Sequence, residues 1–167
     1  MRIFFGAAIQ GLTQRGERSL LYAGIMESIK SLGHTLVSEH TATGSREETA
    51  RAMEESIGPL PPAGLQRNSY VRNRMIEAIE SDIGAAIFEV STPSLGTGIE
   101  IAHAYLRPRM GLKAVPILNL YQTGFWPNQL STMIRGITPS VVPELAIVEF
   151  TDIPSAQSEI RKWLGAL

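Results

Sequence analysis

The chain has 167 residues, with 15 Lys and Arg against 16 Asp and Glu, a formal net charge of −1, three histidines and no cysteine. That length suits one domain, 1–167, with an ordinary core. The missing cysteine excludes disulfides, thiolate metal sites and a cysteine nucleophile. The balanced charge, with no basic stripe, argues against a nucleic-acid polymer as partner but leaves small anionic ligands open.

His34, His40 and His103 lack metal-ligand spacing, so no metal is expected. No apolar run approaches the ~20 residues that span a bilayer, and the opening "MRIFFGAAIQG" shows no cleaved leader. A cytoplasmic protein away from membranes is the expectation.

In chain order, "RIFFGA" (2–7) predicts a buried strand, followed by a turn through Gly16. Leu20, Leu21, Ile25, Ile29 and Leu32 predict a helix over 17–32, with Gly33 as its stop. "TLVSEH" (35–40) predicts a second strand. The stretch 41–68 is irregular: Ser45 and Glu48 fit a capping box for a short helix to Ile57, and "GPLPPAG" reads as loop. Such an excursion serves equally as a lid over a site or as a plain surface insertion. Helical spacing returns over 69–82. "GAAIFEV" (84–90) predicts a strand buried on both faces. A helix from Gly98 to Leu106, a strand over 113–121, a short helix over 127–135, a strand over 145–150 and a helix over 153–165 complete the chain. This alternation predicts an α/β fold: a doubly wound, mostly parallel five-stranded sheet of flavodoxin-like, Rossmann-like type, order 2-1-3-4-5, flanked by helices. Ligands of such sheets bind beyond the carboxyl ends of the strands, near the switch point. Here that places the loops after strands one and three side by side.

The second of those loops reads "STPSLGTGIEIAHAY". Its hydroxyls, including Ser94, and the backbone at Gly96 and Gly98 can form an anion pocket before a helix, although Gly-x-Gly also serves as plain turn chemistry. Glu100 is expected in the helix's first turn, where the dipole favours a carboxylate at neutral pH. It reads either as a nucleophile or base, or as a residue that only stabilises the helix start. "NQLSTMIRG" offers Ser131 and Arg135, the latter a fit partner for phosphate or carboxylate. His40 ends the second strand at the same sheet edge. Glu89, inside an apolar strand, needs a partner, whether ion pair or ligand.

The phrases "FFGAAIQG", "SEH", "FEVSTPSLGTGIEIAHA" and "LSTMIRG", in this order, resemble the 2′-deoxynucleoside 5′-monophosphate N-hydrolases of the nucleoside 2-deoxyribosyltransferase superfamily. The resemblance spans roughly 3–150 and is densest in the last two phrases. It implies a homodimeric α/β enzyme without cofactor that cleaves the bond between base and sugar of a nucleotide. Glu100 would be the nucleophile, forming a glycosyl-enzyme that water then opens. Ser94, Gly96 and Gly98 would hold the 5′-phosphate, completed by Ser131 from the neighbouring subunit. Ile9, Gln10 and Gly11 would lie against base and sugar. Two departures stand out: Gln10 occupies a position that is basic in relatives, with Arg15 or Arg18 nearby, and Arg74 falls where relatives carry an Asp. The second departure keeps a nucleotide-binding protein without turnover in view, beside a base-exchanging nucleoside deoxyribosyltransferase.

Overall fold

Alternation along the strands divides the molecule into two cores. The computed structural model of the protein describes residues 1–9, 15–124 and 130–167. Its strands are β1 (Arg2–Ala7), β2 (Thr35–Leu36), β3 (Ala85–Glu89), β4 (Ile117–Gln122) and β5 (Leu145–Phe150). The helices are α1 (Arg15–Ser31), α2 (Arg46–Ile57), α3 (Leu65–Glu80), α4 (Leu95–Leu106), α5 (Thr132–Arg135) and α6 (Ile153–Leu164), with a 3-10 turn at Arg107–Met110. All the strands pair in parallel, in the order β2-β1-β3-β4-β5, which is the predicted doubly wound topology. Ile3, Phe5, Ala7, Ile87, Leu118 and Leu120 face one way and pack with α1 and α6. Phe4, Ala86, Phe88 and Ile117 face the other way, against Ile79 of α3 and Ile101 and Ala104 of α4. Each large apolar side chain so buried contributes about 1.5–3 kcal/mol.

Several boundaries differ from expectation for local reasons. β2 stops at Leu36 because the Ser38 side chain replaces backbone pairing: its hydroxyl accepts from the Phe5 N–H (3.0 Å) and donates to the Phe5 carbonyl (2.6 Å). α3 begins at Leu65, four residues early, directly after Gly64 in its left-handed conformation (φ 128°). Ser45 caps α2 by accepting from the Glu48 N–H (3.1 Å), while the Glu48 carboxylate accepts from Gly44 rather than closing the box on Ser45. The irregular excursion is therefore mostly helix. It is tied to the body by Arg15, which donates to the Thr43 and Ser45 carbonyls and to Thr49 Oγ1, and by the Tyr70 hydroxyl on the Ile57 carbonyl. β4 starts at Ile117, and of the short helix expected over 127–135 the described part is α5.

On the α1 face, Glu89 has its expected partner. The Arg18 guanidinium lies 2.6 Å from Glu89 Oε2, and both side chains are buried. The Ser91 N–H donates to Oε1, the Tyr22 hydroxyl reaches Oε2 at 3.5 Å, and Arg18 also donates to Gln122 Oε1 at 2.6 Å. Burial beside Glu89 keeps the Tyr22 hydroxyl protonated. These bonds lock α1 to the carboxyl ends of β3 and β4. Removing one member of such a pair leaves an uncompensated buried charge, which costs about 3–5 kcal/mol. Arg18→Leu is therefore expected to lower unfolding stability by about that amount in urea melts, and the double change Arg18→Leu/Glu89→Leu to recover much of it.

Candidate active site

β1 and β3 pair through to Ala7 opposite Glu89, so the loops that leave them are neighbours, as the switch-point argument required. Ile9, just past β1, is partly buried at this edge. Gln10 and Gly11 lie outside the described residues. Arg15 and Arg18, the candidate replacements for a basic early loop, are engaged with the 43–49 segment and with Glu89 and Gln122 respectively.

Glu100 departs from expectation in two ways. α4 begins at Leu95 with Ser94 as its cap, so Glu100 stands in the second turn, beyond the N–H groups that would have favoured its charge. Its carboxyl also lies over the sheet rather than in solvent. Gly6 of β1 sits directly opposite Phe88 of β3, and a Cβ on Gly6 would fall 2.7 Å from Glu100 Oε2 and 2.7 Å from Phe88 Cδ1. Among the described residues nothing donates to or pairs with this carboxyl. Burial pushes it up to about 8, so it is mainly protonated at neutral pH, which corrects the expected ionised state. Gly6 was missed in the sequence as part of this site. The available signal was a glycine interrupting a run of large apolar residues, which often marks a close approach within a sheet.

At the start of α4 the expected anion-pocket residues stand as follows. Ser94 Oγ accepts from the Thr97 N–H (3.2 Å), leaving its own proton free to donate to a ligand. The N–H groups of Leu95 and Gly96 have no acceptor among the described residues. A Cβ on Gly98 would meet nothing within 4 Å, and one on Gly96 only Ser94 Oγ at 3.8 Å, so both glycines leave open space for a ligand. Beside them is a cavity of about 500 Å³ lined by Thr92, Ser94, Gly98 and Ile101 on one wall and Ser131 and Ile134 on the other. Thr92 Oγ1 is buried there without a partner among the described residues. Ser94 and Ser131 of one protomer thus line the same cavity. Glu100 does not line it; its carboxyl lies toward Gly6.

The remaining candidates are more dispersed. His40 is buried, its Nδ1 has no partner among the described residues, and burial lowers its ring to about 4, so it is neutral. It follows Ser38, which is bonded to Phe5, and so lies beside the end of β1. Glu89 points to the opposite sheet face from Glu100 and is held by Arg18. Arg135 lines a separate cavity with Trp163 and Leu145 rather than the one with Ser94. Arg74 is exposed and pairs with Glu77 (2.9 Å), so α3 presents no carboxyl at that position. Among the described residues no group of three His, Asp or Glu side chains could hold a metal ion, and no helix is long and apolar enough to cross a membrane.

Comparison with known proteins finds two relatives. A protein of Syntrophotalea carbinolica is 31% identical over 137 residues, which cover 81% of this chain and 78% of the relative. One of Thermofilum pendens is 28% identical over 166 residues, covering 98% and 95%. Both carry the name "Putative 2′-deoxynucleoside 5′-phosphate N-hydrolase 1". No protein-family model matches the chain.

The raised Glu100 carboxyl has a consequence for stability. The folded protein holds this proton up to about pH 8, whereas an unfolded glutamate releases it near its ordinary value of 4.5. Its contribution to stability therefore falls as the pH rises between those values. Glu100→Gln is expected to leave the melting point nearly unchanged at pH 4.5 and to stabilise the protein at pH 9 by about 1–3 kcal/mol, discounted for residual solvent contact. Calorimetry at the two pH values checks this.

Proposed function

The chain belongs to the family of 2′-deoxynucleoside 5′-phosphate N-hydrolases, and from that membership we propose that it hydrolyses the N-glycosidic bond of a 2′-deoxynucleoside 5′-monophosphate. The observation that carries this reading is the placement of two unlike groups on one helix. Ser94 and the free N–H groups of Leu95 and Gly96 suit a phosphate at the start of α4. Glu100, six residues on and so about 9 Å along the axis, presents its carboxyl toward the carboxyl end of β1. A nucleotide laid across the first turns would set its 5′-phosphate at Ser94 and its sugar toward Glu100. The base would extend toward Ile9 and His40.

In this reading the Glu100 carboxylate attacks C1′ of the sugar, and the N-glycosidic bond breaks with its electron pair leaving on the base nitrogen, which takes up a proton. Water then attacks C1′ of the glycosyl ester, releasing deoxyribose 5-phosphate and the carboxylate. The developing positive charge at C1′ favours the ionised glutamate strongly in a largely buried place. With no carboxyl at Arg74, the chemistry favours bases that leave readily. The same geometry without turnover would make a nucleotide-binding protein, and Arg74 is the observation on that side.

Base release from a panel of nucleoside and 2′-deoxynucleoside monophosphates tests the reading. The expected result is release that is abolished by Glu100→Gln, with kcat/KM rising as pH increases through about 8, because the attacking form is ionised. A fall through that pH assigns Glu100 to proton donation instead. Binding without release from any substrate points to a binding protein, and exchange between unphosphorylated nucleosides to a transferase.

We also propose that the protein is a homodimer. Leu95 (91% exposed), Met133 (82%) and Ile99 form an apolar rim around the cavity that holds Ser94 and Ser131, which suits burial against a second copy. If Ser131 serves the partner's phosphate site, mixing inactive Glu100→Gln and Ser131→Ala chains should restore about half of native turnover per hybrid dimer, because one of its two sites is then intact. No recovery in demonstrated hybrids assigns Ser131 to the site of its own protomer.

A further inference from the structure

We infer that Gly6 and Phe88 are positioning residues: together they form the seat that fixes the Glu100 carboxyl at the reacting centre. The catalytic part of this role rests on the base-release reading, and the seat itself on geometry. Gly6 and Phe88 are directly opposed on β1 and β3, on the sheet face that α4 covers. The Phe88 ring leans over Gly6, so that a Cβ there would lie 2.7 Å from Cδ1 and 2.9 Å from Cε1. Glu100 Oε2 comes to the same point, at 2.7 Å. The space a side chain would fill is therefore shared by an aromatic ring edge and a carboxyl oxygen. The ring is itself fully buried and tilted against Phe4, with centroids 5.8 Å apart, so it has little room to retreat.

Among the described residues nothing polar competes for the carboxyl. Of the elements packed on α4, β1 brings no ionisable side chain after Arg2. β3 brings Glu89, held by Arg18 on the other face. α3 brings Arg67, Tyr70 and Arg72, which donate to the Pro61 carbonyl, the Ile57 carbonyl and Asn73 Oδ1, then Arg74 and Glu77, paired with each other, and Glu80, bonded to His103 of α4 (2.9 Å). The 3-10 turn brings Arg107, which donates to the Ile79, Ser81 and Lys113 carbonyls, and the exposed Arg109. The seat is thus steric and apolar: it determines both where the carboxyl stands and how little water reaches it. A side chain at position 6 must displace either the ring or the carboxyl, and the carboxyl, which no described residue holds by a hydrogen bond, is the freer of the two.

The test compares Gly6→Ala, Phe88→Leu and the double variant. Two readouts are taken for each: turnover, and the Glu100 titration obtained as the difference in unfolding stability from the matching Glu100→Gln protein across pH 4–10. Gly6→Ala should lower the titration by about one pH unit or more as the carboxyl moves toward water. It should also reduce kcat roughly 10²-fold, with KM changed less than about threefold, because a misplacement of about 1 Å costs that much. Phe88→Leu, which adds no atom, should lower the titration as well by admitting water. The double variant, in which the shorter side chain makes room for the new methyl, should recover at least about tenfold in kcat over Gly6→Ala. An unchanged titration in Gly6→Ala overturns the inference, as do equal changes in kcat and KM or no recovery in the double variant. If Gly6→Ala does not fold, the titration of Phe88→Leu decides alone. If the native protein turns over no nucleotide, the functional reading fails while the titration still decides whether the seat exists.

Discussion

The site depends on how closely α4 approaches β1. A helix that lies over a parallel sheet ordinarily interposes apolar side chains, and Ile101 and Ala104 of α4 do so. At Glu100 the helix instead brings a carboxyl down onto the one position of β1 that has no side chain to hold it off. Gly6 makes the approach possible, the Phe88 ring closes its far side, and among the described residues no donor reaches the acid. A dry carboxyl is costly to ionise, and that cost is the reason to read the residue as chemical rather than structural. A glutamate retained only to stabilise the start of α4 would sit in its first turn and in water.

The rest of the fold holds this approach in place. The register that opposes Gly6 to Phe88 also opposes Ala7 to Glu89, and Glu89 is clamped to α1 by Arg18, Tyr22 and the Ser91 N–H. The two glutamates, each near the carboxyl end of the sheet, are thereby divided in role. Glu89, on one face, is fully buried and paired with Arg18. Glu100, on the other, has no partner among the described residues and is mainly protonated at neutral pH. The Ser94 cap fixes where α4 begins, and so how far along its axis Glu100 stands from the open N–H groups of the first turn.

Much of this was legible in the sequence because strands and helices follow side-chain periodicity. The run "GAAIFEV" fits only a strand covered on both sides, and the alternation of elements prescribes the order of the sheet. What periodicity does not record is where a helix begins when its cap is one serine among several. The three-residue error at α4 moved Glu100 from the first turn to the second, and burial over the sheet, which periodicity does not record either, reversed the expectation for its charge. The extent of β2 was hidden for a related reason, since Ser38 imitates strand pairing with its side chain. Gly6 was hidden because contacts between distant segments set its meaning: a glycine in a strand signals a close neighbour without naming it. Glu89 was the converse case. Its need for a partner followed from its apolar context alone, although the identity of that partner, Arg18, required the fold.

The central claim is that Glu100, seated on Gly6 and Phe88, attacks the sugar of a nucleoside monophosphate. Mass spectrometry of protein acid-quenched during turnover of a 2′-deoxynucleoside 5′-monophosphate tests it most directly. The account predicts a deoxyribosyl-phosphate adduct on the peptide carrying Glu100, absent in Glu100→Gln. An adduct on another residue, or base release that persists in Glu100→Gln, would contradict it.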